Sequence, residues 1–466
     1  MRETDVAVVG AGPAGMAAAI AAAEAGARVT LIDEYGMPGG QFFKRADASF
    51  SIEPSQLSRE HGRGEELREK LSASRVSVLA HTLVWGVFDN ELMLYGNNKS
   101  ETLRTKAIVL ATGAYDRPVA FPGWTLPGVM GAGGAQTLAK TQWVKAGRKI
   151  LLSGSGPLLL PVARQLLLAK AEIVAVVEAT TPSQWLRLAS AAWGQWSRFA
   201  EAIECWRHFR KNRVPLLFGH KIARALGADK VEAAVIAKID RNWNAITETE
   251  RILDVDAIAV GYGLLPNIEL AASCGCNLYW DNSVRAWFVA CDSRMATNRF
   301  NVFVAGEITG IGGSELALNE GILAGISAAE SIGIISTKIA DERLAMPSRR
   351  RKRLANFANV LNRSYGPRAG LWEGLESDNT TICRCEEVTR GVIASAVRNG
   401  CSSLKEVKDL TRAGMGLCQG RMCRNMVAEI IAREQQKQVE KIAFPHVRPP
   451  IKPVPIAAIV ASDSSK

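Results

Sequence analysis

The chain has 466 residues, with 57 lysines and arginines against 46 aspartates and glutamates, so its formal net charge is +11. A hydrophobic fraction of 47% with a charged fraction of 22% is typical of folded globular protein and excludes intrinsic disorder and collagen. The length predicts about two to four domains, and nine cysteines are too few for a disulfide scaffold. We therefore expect a cytoplasmic, reducing compartment, where clustered cysteines are more often metal ligands or redox groups than disulfides.

The first predicted elements form a strand, a glycine turn and a helix. The apolar run at residues 5–9 is suited to a strand buried on both faces, and Gly10, Gly12 and Gly15 follow it directly in GxGxxG spacing. In such a turn the first glycine permits the tight bend, the second lets the backbone approach a pyrophosphate, and the third lets helix and strand pack closely. The N-terminus of the helix then offers free N–H groups to a phosphate. This arrangement, and not a membrane span, explains the uncharged run at residues 6–23.

A second strand at residues 28–32 ends in two acidic residues. Asp33 lies 18 positions after Gly15, near the distance expected for the acid that binds ribose hydroxyls, and Glu34 is the second candidate. The complete order of strand, turn, helix, strand and acid predicts a dinucleotide site. The glycines alone do not decide between FAD and NAD.

Two later segments, at residues 107–113 and 301–307, are predicted strands that end in small turns. The turns are Ala-Thr-Gly and Gly-Glu, and they contain Thr112, Gly113, Gly306 and Glu307. The set resembles the two-dinucleotide-domain flavoproteins of the glutathione-reductase-like fold, which implies an α/β fold. In that fold the first turn closes the first domain, and a Gly-Asp contacts the flavin ribityl chain. Here Glu307 replaces the aspartate and is expected to shift or lose that contact, so FAD and another adenine dinucleotide both stay open for the first site.

A second strand, turn and helix pattern begins at residue 148. Gly154 and Gly156 follow the strand, but Leu159 occupies the third glycine position, where a side chain should push the helix from the strand or alter its crossing. Glu178 lies 22 positions after Gly156, so it is a candidate for the acidic residue that binds the ribose hydroxyls. The pattern predicts a second, NAD(P)-like Rossmann domain, whose site either binds NAD(P)H or is degraded.

The sequence lacks the redox and hydrolytic motifs that often accompany this fold. No cysteine follows Gly40 and Gln41 until Cys205, so the cysteine pair that disulfide reductases of this fold place beside the flavin is missing. The C-x-C at residues 274–276 is not the C-x-x-C redox motif, and the five histidines form no HExxH or HxE pattern. We therefore nominate no catalytic residue in this chain.

Four cysteines near the C-terminus form a C-x-C and a C-x4-C pair separated by 32 residues. They are Cys383, Cys385, Cys418 and Cys423. Four thiolates hold either a [2Fe–2S] cluster or a tetrahedral zinc ion, and zinc ribbons use wider spacings at both ends, so the C-x-C pair favours the cluster. With predicted helices at residues 388–399 and 403–410, the segment resembles the small helical [2Fe–2S] domain of bacterioferritin-associated ferredoxin. It departs from that domain by having C-x4-C in place of C-x2-C.

Several longer sequence motifs indicate a second resemblance, which covers roughly residues 4–432. They lie at residues 38–41, 111–118, 121–130, 154–160 and 410–416. The chain resembles the α subunits of heteromeric flavin-dependent amino-acid and opine dehydrogenases. The resemblance implies that Gly40 and Gln41, in the first of these motifs, border the cofactor of the first site.

The family resemblance also implies partners. A glycine-oxidase-like flavoprotein β subunit would oxidise the C–N bond of an amino acid or derivative, of the opine or proline and hydroxyproline class. Electrons would then pass through an interfacial flavin, FMN, and the [2Fe–2S] cluster to an acceptor such as a quinone. The same picture includes a small third subunit in the complex, with the complex peripheral to the inner membrane, and no nucleic acid is expected as a partner.

Three alternatives remain at this stage. The first is a hydrogen cyanide synthase subunit, which would serve glycine oxidation. The second is a stand-alone NAD(P)H-dependent flavin and iron–sulfur reductase, against which Leu159 argues. The third is a structural subunit whose cofactors are vestigial or regulatory.

The predicted division of the chain has five parts. They are a discontinuous FAD or dinucleotide domain at 1–130 and 291–345, a second Rossmann domain at 131–290, a basic linker at 346–376, a [2Fe–2S] domain at 377–435 and a Pro-rich tail at 436–466. Residues 349–353 supply five positive charges and are expected to be a solvated linker or a docking patch for an acidic partner. The tail is expected to be extended, and a tryptophan-rich helix within 185–206 to contact a subunit or the core.

Overall fold

The structure, a computed structural model, describes residues 2–46, 59–184, 204–205 and 207–463 of the chain. The tryptophan-rich segment therefore lies almost wholly outside the described residues. The strands are β1 (Arg2–Val9), β2 (Val29–Ile32), β3 (Ser77–Leu79), β4 (Thr82–Phe88), β5 (Glu91–Gly96), β6 (Lys99–Leu110), β7 (Ala114–Asp116), β8 (Val129–Gly131), β9 (Lys149–Gly154), β10 (Glu172–Glu178), β11 (Leu216–Phe218), β12 (His220–Leu226), β13 (Ala233–Lys238), β14 (Arg251–Asp254), β15 (Ala257–Gly261), β16 (Leu264–Pro266), β17 (Leu278–Asp281), β18 (Ala286–Val289), β19 (Val302–Val304), β20 (Thr381–Cys383) and β21 (Val388–Thr389).

The helices alternate with these strands in the first two thirds of the chain and dominate the last third. They include α1 (Pro13–Glu24), α2 (Arg59–Ala73), α3 (Ala132–Thr141), α4 (Leu159–Leu168), α5 (Glu269–Ser273), α6 (Ser314–Ser331), α7 (Thr337–Tyr365), α8 (Arg390–Arg398), α9 (Leu404–Thr411), α10 (Arg424–Glu434) and α11 (Ile456–Asp463), with 3-10 helices at Ala369–Glu376 and Val439–Lys441.

The first sheet brings the segments predicted to bind a nucleotide to one edge. Its order is β3-β2-β1-β6-β5-β4, and β19 pairs with β6. Strands β1, β2, β3, β6 and β19 run parallel, with Val9 opposite Ile32 and Leu110, and Val304 also opposite Leu110. Because the carboxyl ends of parallel strands meet at one edge, the turns that follow β1, β2, β6 and β19 lie together there.

Helices α1 and α6 pack so closely that glycines of α6 lie against the backbone of α1. A Cβ atom on Gly321 would lie 2.1 Å from the carbonyl oxygen of Ala14, and one on Gly325 would lie 2.2 Å from that of Ala18. The alanine-rich sequence of α1 presents only methyl groups to this contact, so the two helices approach more closely than larger side chains would permit. This packing positions the N-termini of both helices beside the sheet edge that carries the glycine turn.

The second nucleotide-binding unit is a five-stranded parallel sheet of order β11-β10-β9-β15-β8, next to the antiparallel sheet β12-β13-β14. The chain passes between the two units along β7 and β16, which pair antiparallel to form a two-stranded connector. This architecture of two α/β units joined by a connector is the predicted one.

The C-terminal domain packs α8, α9 and α10 around the short pair of β20 and β21. Ile393, Val407 and Ile431 are fully buried between the helices, and Ser403 and Glu406 form a capping box at the start of α9. The helices predicted from the sequence between the cysteine pairs are confirmed to within two residues at each end.

Two predicted segments differ in the structure. Residues 346–376, predicted to be a linker, are mostly helical: the first twenty continue α7 and the last eight form a 3-10 helix. The tail is not wholly extended, since it ends in α11, which packs on β6 through a hydrogen bond from Ser100 Oγ to the carbonyl of Ala458 at 2.7 Å. Among the described helices, none is long and apolar enough to cross a membrane.

Candidate functional site

The glycine turn after β1 has no room for side chains. Gly10 has a φ of +100°, and a Cβ atom there would lie 2.4 Å from the carbonyl oxygen of Ala111. A Cβ on Gly15 would lie 1.7 Å from the carbonyl oxygen of Gly10, and one on Gly40 would lie 2.7 Å from Cα of Gly12. The turn therefore presents bare backbone at the N-terminus of α1, the arrangement that binds a pyrophosphate.

Asp33, rather than Glu34, faces the glycine turn. Its carboxylate accepts hydrogen bonds from the backbone N–H groups of Ala11 at 2.5 Å and Tyr35 at 2.7 Å. Burial raises the pKa of Asp33, and the two backbone hydrogen bonds oppose that rise. Glu34 points away to form an ion pair with Lys452 of the tail. The structure thus separates the two acids that the sequence leaves as alternatives.

The Ala-Thr-Gly turn after β6 is fixed by the end of the connector. Thr112 Oγ1 donates a hydrogen bond to the carbonyl of Asn267 at 2.5 Å, and the N–H of Asn267 donates to the carbonyl of Gly113 at 2.9 Å. Gln41 lies near the same sheet edge, where its amide reaches the hydroxyl of Tyr35 at 3.5 Å. Thr112 therefore couples the first site to the connector.

Glu307 provides a test of whether this edge fits a bound cofactor. Its Oε1 accepts a hydrogen bond from the N–H of Gly313 at 2.8 Å, at the start of α6, while its Oε2 is buried and has no hydrogen-bond partner among the described residues. Burial raises the pKa of Glu307 to about 7. A hydroxyl-bearing cofactor would supply the missing partner, so the residues present fit an adenine dinucleotide or flavin at this edge.

Sequence reasoning missed a buried ion pair behind Gly306. The carboxylate of Glu320 accepts hydrogen bonds from the N–H of Gly306 at 3.0 Å and from Thr309 Oγ1 at 2.7 Å, and it pairs with Arg351 at 2.9 Å. Arg351 belongs to the basic run that the sequence predicts to be solvated or to dock a partner, and Arg350 of the same run pairs with Glu315 on α6. These charges anchor α7 to the first domain, because their acidic partners lie on the neighbouring helix.

The second glycine turn is filled by Leu159 instead of being opened by a third glycine. Helix α4 begins only at Leu159, and a Cβ on Gly154 or Gly261 would lie 2.9 or 3.0 Å from the Leu159 Cδ2 atom. The leucine therefore packs over the ends of β9 and β15. This later helix start is how the chain accommodates a side chain that would otherwise push the helix from its strand.

The end of α7 covers the same turn. Ser155 Oγ donates a hydrogen bond to the carbonyl of Tyr365 at 3.0 Å, and a Cβ on Gly156 would lie 3.4 Å from the Tyr365 ring. Glu178 is 1% exposed, and it accepts hydrogen bonds from the N–H groups of Gly156 at 3.0 Å and Thr180 at 2.9 Å. The groups that would bind a nucleotide in this turn are thus engaged by the chain itself.

The four cysteines of the C-terminal domain form two neighbouring pairs. Cys383 and Cys423 are buried and share a hydrogen bond, while Cys385 is exposed and contacts the half-buried Cys418. Hydrogen bonding with Cys423 and with backbone N–H groups lowers the pKa of Cys383 to about 6. The two pairs also interact electrostatically with each other, so all four thiols lie in one neighbourhood.

The loop around the cysteines fits a cluster. The N–H of Gly414 points to the Cys383 sulfur at 3.4 Å, and a Cβ on Gly416 would lie 2.3 Å from the Cβ of Cys385. Glycines therefore let the backbone approach the sulfur atoms, and N–H groups directed at sulfur stabilise thiolates. A [2Fe–2S] cluster binds two thiolates at each iron, which two neighbouring pairs can supply.

Comparisons with known proteins define the class first. Residues 4–331 match the family model described as pyridine nucleotide-disulphide oxidoreductase, and residues 381–433 match the BFD-like [2Fe-2S] binding domain. The first match implies FAD-type binding and the second a [2Fe–2S] cluster. The chain is thus a flavoprotein-type oxidoreductase with a C-terminal iron–sulfur domain, and the predicted fold class is confirmed.

Relatives then narrow the family. The chain is 30% identical to the opine oxidase A subunit of Agrobacterium tumefaciens (strain Ach5), over 98% of this chain and 91% of the relative. It is 32% identical to hydrogen cyanide synthase subunit HcnB of Pseudomonas aeruginosa, over 97% of both chains. The chain therefore belongs to the family that contains HcnB and the opine oxidase A subunits, as its sequence motifs predict.

Solved structures share the architecture. L-proline dehydrogenase from P. horikoshii superposes with a TM-score of 0.69 at 23% identity, over 98% of this chain and 79% of that one. Thioredoxin reductase of T. acidophilum superposes with a TM-score of 0.51 at 17% identity, over 72% of this chain and all of that one. The first of these therefore shares the fold over nearly the whole of this chain.

Proposed function

We propose that this chain is the electron-transferring α subunit of a heteromeric dehydrogenase or oxidase. Its partner, a flavoprotein β subunit of the glycine-oxidase type, would oxidise the C–N bond of an amino acid or derivative of the opine or proline and hydroxyproline class. The observation that carries the proposal is the presence, in one chain, of a bare dinucleotide turn and a four-thiol cluster site without a redox cysteine pair in the first domain. The subunit names of the relatives support it.

The proposed residues of the first site surround the carboxyl edge of the first sheet. They are Gly10, Gly12, Gly15, Asp33, Glu34, Gly40, Gln41, Thr112, Gly113, Gly306 and Glu307. They would hold FAD or another adenine dinucleotide, with the backbone N–H groups of the turn at the pyrophosphate and Glu307 at a hydroxyl. Among the acids, Asp33 is the stronger candidate because Glu34 is turned toward Lys452.

The proposed cluster ligands are Cys383, Cys385, Cys418 and Cys423. The buried pair, Cys383 and Cys423, would face the flavoprotein body, and the exposed Cys385 would face solvent. A bound flavin accepts a hydride and releases electrons singly, and a [2Fe–2S] centre takes one electron at a time. The residues of this chain bind and shield these groups, and none of them is assigned to the substrate.

The finer parts of the proposal concern the complex. We propose FMN at the interface with the β subunit, together with a small third subunit, a quinone-like acceptor, and a cytoplasmic complex peripheral to the inner membrane. We keep the predicted division of the chain with one change: residues 346–365 join the first domain, to which their helix is anchored, and the linker is shortened to residues 366–376.

Coexpression with the β subunit tests this proposal. The purified complex should show flavin and iron–sulfur absorption and should oxidise one of proline, hydroxyproline, an opine or glycine with an artificial acceptor. The chain alone should be inactive toward all four. Substrate oxidation by the isolated chain would contradict the division of labour.

The hydrogen cyanide synthase alternative is favoured by one observation, the 32% identity to HcnB. Under that function glycine would be the preferred substrate, and cyanide would be released. Substrate preference and cyanide assay of the same complex separate the two members of the family.

The stand-alone reductase alternative is opposed by the second turn, where Leu159 and Tyr365 take the space of a nucleotide. Rapid mixing of the flavin-loaded chain with NADH or NADPH should leave the flavin absorption unchanged. Bleaching within the turnover time would favour the reductase.

The vestigial alternative is tested by replacing Cys383 and Cys418 with serine. We expect the complex to lose transfer to its natural acceptor. Full turnover in that variant would contradict a relay through the cluster.

A further inference from the structure

A buried group of charges joins the iron–sulfur domain to the connector between the two nucleotide units. Glu269, the first residue of α5, is 2% exposed and follows β16 by three residues. Its Oε1 accepts a hydrogen bond from Arg424 Nη1 at 2.9 Å, and its Oε2 lies 3.5 Å from Arg421 Nε. Both arginines belong to the cluster segment: Arg421 lies inside the C-x4-C pair, and Arg424 directly follows Cys423. We call these three residues the charge triad.

The two guanidinium groups are held against the backbone that carries the thiols. Arg421 donates from Nη1 to the carbonyl of Cys418 at 3.2 Å and from Nη2 to that of Ile451 at 3.1 Å. Arg424 donates from Nη2 to the carbonyl of Gln419 at 3.3 Å. Since both side chains are nearly buried, their positions relative to the C-x4-C loop are fixed by these contacts.

Two aromatic residues complete the enclosure. The guanidinium of Arg424 lies 4.5 Å from the ring centroid of Phe444, and the hydroxyl of Tyr115, on β7, donates to the carbonyl of Arg421 at 3.2 Å. The triad is therefore packed between the connector and the tail. Its charges are poorly screened by water, because neither the acid nor the two arginines is exposed.

The charge triad carries a net charge of one positive unit if all three groups are ionised. A [2Fe–2S] cluster gains one negative charge when it is reduced, so nearby positive charge stabilises the reduced state and nearby negative charge opposes it. Four thiolates need neither arginine for ligation. Charges at these positions would therefore act on the energy of the reduced cluster.

We propose that Glu269, Arg421 and Arg424 form a fixed group of charges beside the cluster, and that the net charge of this triad sets the reduction potential of the cluster. This inference rests on the proposed function, since it requires a [2Fe–2S] cluster on the four cysteines. It adds to that function a means by which the flavoprotein body controls the potential of the cluster domain.

Redox titration of the loaded complex, followed by the electron paramagnetic resonance signal of the reduced cluster, tests the inference. Glu269→Gln removes one negative charge, so the cluster should become easier to reduce, by about tenfold in the equilibrium constant, or about 59 mV for one electron. Arg421→Gln removes one positive charge and should shift the potential in the opposite direction. The double variant should return toward the wild-type value.

Glu429→Gln is the matched control. Glu429 is 3% exposed on α10 and pairs with Arg285 at 2.6 Å across the same domain boundary, six residues beyond Cys423. Its removal should lower the melting temperature as Glu269→Gln does, because each breaks a buried ion pair. The potential should move less, because Glu429 lies six residues beyond Cys423, roughly 9 Å along the helix, whereas Glu269 pairs with arginines inside and next to the C-x4-C segment.

Opposite shifts in the two single variants would support the inference, since a general loosening of the domain would move both potentials the same way. Unchanged potentials, or shifts of the same sign, would overturn it. If Glu269→Gln does not fold, Arg421→Gln alone decides. A lowered reduction potential in that variant would support the inference, and an unchanged or raised potential would overturn it. A wild-type complex without a [2Fe–2S] signal would instead overturn the proposed function itself, so the two failures are distinguishable.

Discussion

The acids at the ends of β2 and β10 each accept a hydrogen bond from the backbone of a glycine turn. Asp33 accepts a hydrogen bond from Ala11, in the first turn, and Glu178 accepts one from Gly156, in the second. The longer side chain of Glu178 reaches one residue farther along its turn. Both carboxylates therefore accept a hydrogen bond from a turn, and of the two turns it is the second that Leu159 and Tyr365 cover.

Glu178 makes a pH-dependent contribution to stability. Burial raises its pKa to about 7 from the ordinary value of 4.5, although hydrogen bonds from Thr180 and Gly156 oppose the rise. Between these values the folded state binds more protons than the unfolded state, so the free energy of unfolding falls as the pH rises. We expect a loss of at most about 3 kcal/mol from this group between pH 4.5 and 7. Chemical denaturation at several pH values should show the fall, and Glu178→Gln should make it shallower.

Glu172→Gln is the control for this measurement, because Glu172 lies on the same strand but is exposed. The pH profile of that variant should follow the wild type. A Glu178→Gln profile as steep as that of the wild type would contradict the assignment.

At the scale of elements, α7 shows how a local pattern can mislead. Pro347 and the five adjacent basic residues favour a break in structure. The structure continues the helix through them, because Ala340 and Leu344 before the proline and Leu354 and Ala358 after it are buried at helical spacing. The proline removes one backbone hydrogen bond, and the packing on both sides outweighs that loss.

The contact between α1 and α6 yields a prediction about helix packing. Gly325→Ala should gain up to about 1 kcal/mol of helix propensity but lose about 1–3 kcal/mol by overpacking, since its Cβ would lie 2.2 Å from the Ala18 carbonyl oxygen. We expect a net destabilisation in urea unfolding.

Gly62→Ala is the corresponding control. Gly62 lies within α2, and a Cβ there would meet no atom of the residues that the structure describes within 4 Å. The same substitution should therefore stabilise the protein slightly. If both variants were stabilised alike, the close contact of α6 with α1 would be contradicted.

At the scale of the whole molecule, the tail links the cluster domain to the first nucleotide domain. The N–H of Ile451 donates to the carbonyl of Trp85 on β4 at 2.9 Å, while the carbonyl of Ile451 accepts from Arg421. Lys452, next to it, pairs with Glu34 beside the glycine turn. The tail thus contacts both the first nucleotide domain and the cluster domain of its own chain.

Removal of residues 444–466 should uncouple the two domains. The deletion removes the hydrogen bond from Ile451 to the carbonyl of Trp85 and frees Arg421 from one of its carbonyl acceptors. Calorimetry should then show the melting transition lowered and split into two, whereas deletion of residues 456–466 alone should leave one transition. A single unshifted transition after the larger deletion would contradict the link between the domains.

The sequence by itself determined the family, the α/β fold class, the bare glycine turn and the four cysteines. These features depend on short spacings and apolar runs, which fix local backbone geometry wherever they occur. Only the tertiary structure decided that Tyr365 covers Gly156, that Arg351 pairs with Glu320, and that Glu269 holds two arginines of the cluster segment. The residues of the first and third contacts lie more than 150 positions apart in the sequence. No local pattern encodes such contacts, because each depends on how whole domains and the long helix α7 are packed against one another.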